Sequence, residues 1–166
     1  MRIAVTGTPG TGKTTATERV DTDLPIVHLN DLIRDEDLYE SVDEERDSLV
    51  ADLDAAEERV PDAALVESHL AHHLDADHVV VLRCRPAEIE RRLRERGEPE
   101  ATAVENAESE ALDVILAEAV EHHGRENVYE IETTDRDPDA VAREIEAVIA
   151  GDREPSAGTV DYTEYL

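Results

Sequence analysis

A short run rich in β-branched residues, Arg2-Ile3-Ala4-Val5-Thr6, leads straight into Gly7-Thr8-Pro9-Gly10-Thr11-Gly12-Lys13-Thr14-Thr15, and this junction leaves the chain few folds to choose from. The second segment meets the phosphate-binding pattern G-x-x-x-x-G-K-[ST] at every fixed position. A loop of this kind needs a buried strand before it and a helix after it, and Thr15-Ala16-Thr17-Glu18-Arg19-Val20 can continue as that helix. Glycines let the backbone curl so that successive N–H groups, with the helix start, point at phosphate oxygens. Gly10, Gly12, Lys13, Thr14 and Thr15 are therefore candidates to hold ATP, with Lys13 reaching its β- and γ-phosphates. The Thr14 hydroxyl is placed to join the coordination of Mg²⁺.

The rest of the chain follows the same plan. Five short apolar runs, Ile3–Thr6, Pro25–Leu29, Ala64–Glu67, His78–Leu82 and Asn127–Ile131, read as parallel strands buried on both faces. Helical segments separate them, the alternation of a doubly wound α/β domain. Asp43 to Arg59 puts Val42, Leu49, Val50 and Leu53 near one stripe, and Pro86 opens a helix over Ala87–Arg96. Ala101–His123 carries apolar residues at helical spacing throughout, and Pro138–Ala150 closes the domain. Gly97-Glu98-Pro99 breaks the chain between two helices as a hinge. Residues 151–166 leave two readings open: a disordered tail, or an extended segment that docks Tyr162, Tyr165 and Leu166.

The 43 acidic residues stand against 16 basic ones, a formal charge of −27, and Lys13 is the sole lysine. Self-repulsion on this scale disfavours compact folding, and phosphate repulsion disfavours nucleic-acid binding. Concentrated salt relieves both, since the Debye length falls to about 3 Å at 1 M. Acid excess with so little lysine resembles proteins of salt-in halophiles. Cys84 is the single cysteine, so neither an internal disulfide nor a multi-cysteine zinc site is available. No apolar run approaches the roughly 20 residues of a membrane span, and no signal segment is visible. A cytoplasmic monomer is the expectation.

Six of the fifteen arginines fall between Arg83 and Arg96, which in so acidic a chain suggests a polyanion site. Glu88–Arg92 and Glu90–Arg94 have the i,i+4 spacing of a salt-bridged surface helix; Arg91 and Arg94 read as structural, and Arg92 and Arg96, four apart and ending at Gly97, as functional. Arg34, in Asp31-Leu32-Ile33-Arg34, is either a solvated helix charge or a clamp on a second phosphate-bearing substrate. Glu67 ends the third strand, where a carboxylate stands beside the phosphate loop and can hold Mg²⁺. His69 follows it and can orient a water or carry a proton. The pairs His72-His73 and His122-His123 show no complete metal set and read as surface.

These segments, in this order, resemble the adenylate kinase isoenzyme 6 family, small nucleotide kinases linked to maturation of the small ribosomal subunit. The resemblance rests on Thr6-Gly7-Thr8-Pro9-Gly10-x-Gly12-Lys13-Thr14-Thr15, Asp31-Leu32-x-Arg34-x-x-x-Leu38-Tyr39 and Asp43-Glu44-Glu45-x-Asp47. It continues through His69 and Val81-Leu82-Arg83 to Arg92-Leu93-x-x-Arg96-Gly97, and covers the chain to about Ala150. It implies a phosphate-loop fold with a five-stranded parallel sheet, a monophosphate arm over 28–51 and a lid over 95–105. It further implies phosphoryl transfer from ATP to AMP or another nucleoside monophosphate, with Arg96 closing on ATP and Asp31 and Arg34 on the acceptor side. ATPase activity, a role in rRNA processing and a partner among the small-subunit platform proteins come with it, without sequence-specific contact to nucleic acid. Assembly ATPase alone, or a kinase for a non-nucleotide substrate, are the competing readings. The family carries Asp where Glu67 stands, which moves the carboxylate by one methylene.

Overall fold

The computed structural model describes residues 1–43 and 48–166. Five strands form a parallel sheet: β1 (Arg2–Thr6), β2 (Ile26–His28), β5 (Ala64–Glu67), β6 (His78–Arg83) and β7 (Val128–Glu132), in the order β2-β5-β1-β6-β7. All five runs expected to be strands are strands. The register pairs Ala4 with Val66 on one side and with Val79 on the other, so β1 is central. Alternate residues of β1 serve opposite faces, as the two-residue period of a strand requires. Ala4 packs with Val66, Val81, Leu29 and Leu116 on one face. Ile3 and Val5 pack with Leu82, Ile131, Val141 and Ile145 on the other. Both faces are covered, so the strands are apolar without alternation.

Helix α1 (Lys13–Thr17) leaves the phosphate loop, α2 (Leu29–Asp35) follows β2, and α7 (Pro138–Ala150) closes the second face. Truncating a buried core residue such as Ile145 to Ala would cost roughly 2–5 kcal/mol. Among the described residues, no helix is long and apolar enough to cross a membrane.

Two helical expectations need correction. The stretch from Asp43 to Arg59 is not one helix: β3 (Tyr39–Asp43) pairs antiparallel with β4 (Ser48–Ala51), and only α3 (Leu53–Arg59) is helical. Asp52 sets its start, its carboxylate accepting from the Ala55 N–H at 3.1 Å. Residues 44–47, which hold most of the Asp-Glu-Glu element, lie outside the described residues. The stretch Ala101–His123 is two helices, α5 (Glu100–Ala111) and α6 (Val114–His123), after α4 (Pro86–Glu95). The break is at Asp113, whose φ of 56° is left-handed and whose carboxylate takes a bond from Arg83 Nη2 at 2.6 Å.

The tail docks. The Ser156 N–H donates to the Val128 carbonyl at 3.0 Å beside β7, and the Thr159 N–H donates to Glu130 Oε1 at 2.7 Å. Tyr162 donates to Glu132, and Tyr165 donates to Glu90 of α4 at 2.8 Å. Of the two readings of residues 151–166, the docked segment holds for Tyr162 and Tyr165 but not for Leu166, which is 63% exposed.

Candidate active site

The loop after β1 lies at the carboxyl end of the sheet, where a doubly wound fold places its ligand. Gly7 has φ +152°, and a Cβ there would meet the Leu82 carbonyl oxygen at 2.7 Å, so the first loop position must be glycine. Gly12 has φ +90° and turns the chain into α1. The loop is tied from several elements. Thr133 donates to the Thr11 carbonyl at 3.0 Å, Arg92 Nη1 to the Gly10 carbonyl at 3.0 Å, and Thr8 Oγ1 to Glu110 Oε1 at 3.0 Å. Lys13 Nζ donates to the Thr8 carbonyl at 3.1 Å, folded back across the loop. Burial draws the Lys13 ammonium down to about 8, opposed by Glu67 and Glu110 and assisted by Arg96.

Glu67 ends β5, the neighbour of β1, and this adjacency brings it to the loop. Thr14 Oγ1 donates to Glu67 Oε1 at 3.0 Å, and His28 Nδ1 lies 2.8 Å from the same oxygen. Hard oxygen donors paired beside a phosphate loop suit Mg²⁺, which takes few protein ligands and keeps most of its waters. The extra methylene of Glu67 does not prevent the pairing with Thr14. His28 was not singled out from sequence, because a lone histidine at a strand end carries no motif. His69 also faces the cleft, and burial, with the Lys13 charge second, lowers its imidazole to about 4. Its ring is neutral at neutral pH, so orienting a water suits it better than carrying a proton.

An open cleft of about 1310 Å³ spreads from the loop. Gly10, Gly12, Lys13, Thr14, Thr15, Glu67 and His69 line it, with Arg34 of α2 and with Arg92 and Arg96 of the α4 end. Asp31 does not line it; its carboxylate lies 3.6 Å from Arg34 on the exposed side of α2. Arg91 pairs with Glu88 and Glu95, Arg92 with Glu88 and Arg94 with Glu90, all at helix spacing, and Arg94 also reaches Glu100 at the start of α5. Arg83 departs from the polyanion reading. It is fully buried among Glu110, Asp113 and Glu130, with the Tyr162 ring 5.5 Å from its guanidinium carbon. Burial pushes the Glu110 carboxyl up, against the pull of Arg83. The same carboxylate accepts from the Cys84 N–H at 2.8 Å, so this ion cluster braces the loop from behind through Thr8.

Residues 3–113 match a family model described as an AAA domain. A protein named "Putative adenylate kinase" from Natronomonas pharaonis is 67% identical over the whole of both chains. Its namesake from Halobacterium salinarum is 60% identical, also over the whole of both. This chain belongs to their family. A more distant relative of the same name, from Methanosarcina acetivorans, is 43% identical across 90% of this chain and 86% of its own. Among solved structures, shikimate kinase from Bacteroides thetaiotaomicron superposes with a TM-score of 0.60 at 17% identity, covering 90% of this chain and 98% of that one. At that identity the likeness speaks for the phosphate-loop kinase fold alone.

Proposed function

We propose that the protein transfers the terminal phosphoryl group of ATP to AMP, giving two ADP. One observation carries this reading: a single phosphate loop is flanked by cations from two unconnected elements. Arg34 comes from α2, after the edge strand β2, and Arg92 and Arg96 come from α4, after β6 on the other side of β1. A cleft with one cationic flank would serve a triphosphate alone; two flanks serve two phosphate-bearing substrates. Gly10, Gly12, Thr14 and Thr15 hold the ATP phosphates, Arg96 closes on them from the 95–105 lid, and Arg34 grips the acceptor phosphate from the 28–51 arm. Thr14 and Glu67 would hold Mg²⁺, which when bound offsets charge on the phosphoryl group. The protein's work is alignment and charge compensation by Lys13 and the arginines, without a covalent intermediate. Closure of the two flanks excludes water, which would otherwise take the phosphoryl group.

The test is ADP formation with and without AMP in molar KCl, with shikimate as the alternative acceptor. AMP-dependent ADP formation is expected; transfer to shikimate without dependence on AMP overturns the proposal.

A second activity, ATP hydrolysis coupled to a cationic protein of the small ribosomal subunit, is supported by the neutral His69 in the cleft and by the formal charge of −27. His69→Gly should then lower ATPase more than AMP phosphorylation. Capture of a small-subunit protein in ATP but not in ADP would support the partnership, and absence of any nucleotide-sensitive partner would leave a metabolic kinase.

A further inference from the structure

Four of the seven histidines, His72, His73, His122 and His123, gather where the short turn after β5 meets the end of α6. The reading of both pairs as surface does not hold for His72, which is 1% exposed. Its Nε2 lies 2.7 Å from Glu118 Oε2, and His73 Nε2 lies 3.2 Å from the same oxygen. One ligand atom from each of the three residues falls within 4.8 Å of the others.

We propose that His72, His73 and Glu118 form a site for a borderline divalent metal of the Zn²⁺ class, separate from the Thr14–Glu67 pair. Two imidazoles and a carboxylate are a donor set that Zn²⁺ takes with a fourth position left open. Tetrahedral angles on bonds of about 2 Å put ligand atoms about 3.3 Å apart. The His73–Glu118 separation of 3.2 Å already meets this; the 2.7 Å contact, and the spread of the three atoms within 4.8 Å, adjust by turns of Glu118 and His73, whose side chains are 38% and 25% exposed. The outer support of such a site is also built. Thr6 Oγ1 lies 2.7 Å from His72 Nδ1 and can accept a hydrogen bond from it, which frees the Nε2 lone pair for a metal in place of the hydrogen bond Nε2 makes to Glu118 in the metal-free chain. His123 donates through Nε2 to the His72 carbonyl at 2.7 Å and steadies the turn, while the His122 ring stands edge-on to His73 at 5.3 Å. The His72 and His73 ring centroids lie 4.2 Å apart with the planes tilted by 37°, which keeps the two imidazoles side by side. His73 and Glu118 also line the cleft, which leaves the site open to solvent on that side.

The test is titration of the metal-stripped full chain with Co²⁺ in molar KCl, which screens diffuse binding to the acidic surface, followed by displacement with Zn²⁺. One equivalent should bind with the intense visible bands of a tetrahedral site. Glu118→Gln and His73→Ala should each weaken binding at least about tenfold, while Glu126→Gln leaves it unchanged. Glu118 lies at the surface of α6, so its variant keeps the test sound even if His73→Ala fails to fold. Binding only at millimolar metal, or binding indifferent to both variants, overturns the proposal.

Discussion

Arg83, behind the phosphate loop, and Arg34, on the cleft, carry the same guanidinium and are held in opposite ways. Arg83 is fully buried among three carboxylates, and through Glu110 it braces the phosphate loop. Arg34 is 67% exposed, with one carboxylate at 3.6 Å. A buried charge stripped of its partners is costly, whereas an exposed pair contributes little. The phosphate-loop side of the cleft, the donor side in the proposed reaction, is thus assembled in the folded chain, whereas the proposed acceptor side would gain its contacts only when a substrate arrives.

The sharpest way to break this contrast is to remove the cation at the centre of the donor side. Lys13→Met should lower phosphoryl transfer by about 10²- to 10³-fold, the scale for losing one donor aimed at developing charge. Its thermal stability should not fall, since a desolvated ammonium is replaced by a side chain of similar length. A variant retaining more than about a tenth of wild-type turnover would contradict the role of the loop lysine.

Arg83→Met comes next. It leaves three carboxylates facing one another and should cost about 3–5 kcal/mol in denaturant unfolding at fixed KCl. Arg34→Met should stay within about 0.5 kcal/mol. Equal losses would mean that the two arginines do not differ as their burial implies.

Substrate affinities give the third test. Arg34→Ala should raise KM for AMP about tenfold with little change for ATP, and Arg96→Ala should do the reverse, as expected for loss of a charge-assisted bond. Identical effects on both substrates would remove the division into two flanks.

The same contrast explains what the sequence made legible. The donor side follows from a fixed pattern, because glycines at positive φ and a lysine at one spacing have little other use. The position of Glu67 is legible for the related reason that a carboxylate closing the strand next to β1 lies beside the loop, where Thr14 Oγ1 donates to it. The brace behind the loop stayed hidden: at the break, Asp113 is held by Arg83, thirty residues earlier, and helical spacing runs through it without a flaw. The hairpin of β3 and β4 was concealed because Val42, Leu49 and Val50 satisfy a helical stripe and a strand period alike. Docking of the tail depends on Glu90, Glu130 and Glu132, which nothing in the sequence distinguishes among 43 acidic residues.

The smallest expected effect tests whether Lys13 is held as tightly as the donor side implies. Its ammonium titrates near 8 in the folded chain, below the ordinary 10.5, chiefly through burial. Between those two values the unfolded chain binds more protons than the folded one, so this group's share of stability rises with pH across that window and is least favourable below about 8. A bound triphosphate reverses the sign, because its negative charge favours the protonated amine and raises its pKa. ATP binding should therefore take up a proton, and affinity should fall as pH climbs through about 8, being roughly fourfold weaker at pH 8.5 than at pH 7. Calorimetry with a non-hydrolysable ATP analogue, in buffers of differing ionisation enthalpy, reads both the uptake and the slope. Lys13→Met removes the titrating group and should flatten the profile while weakening binding throughout. A wild-type affinity unchanged from pH 7 to pH 8.5, with no proton taken up, would show that Lys13 is solvated in the free protein, and the donor side would then be as loosely held as the acceptor side.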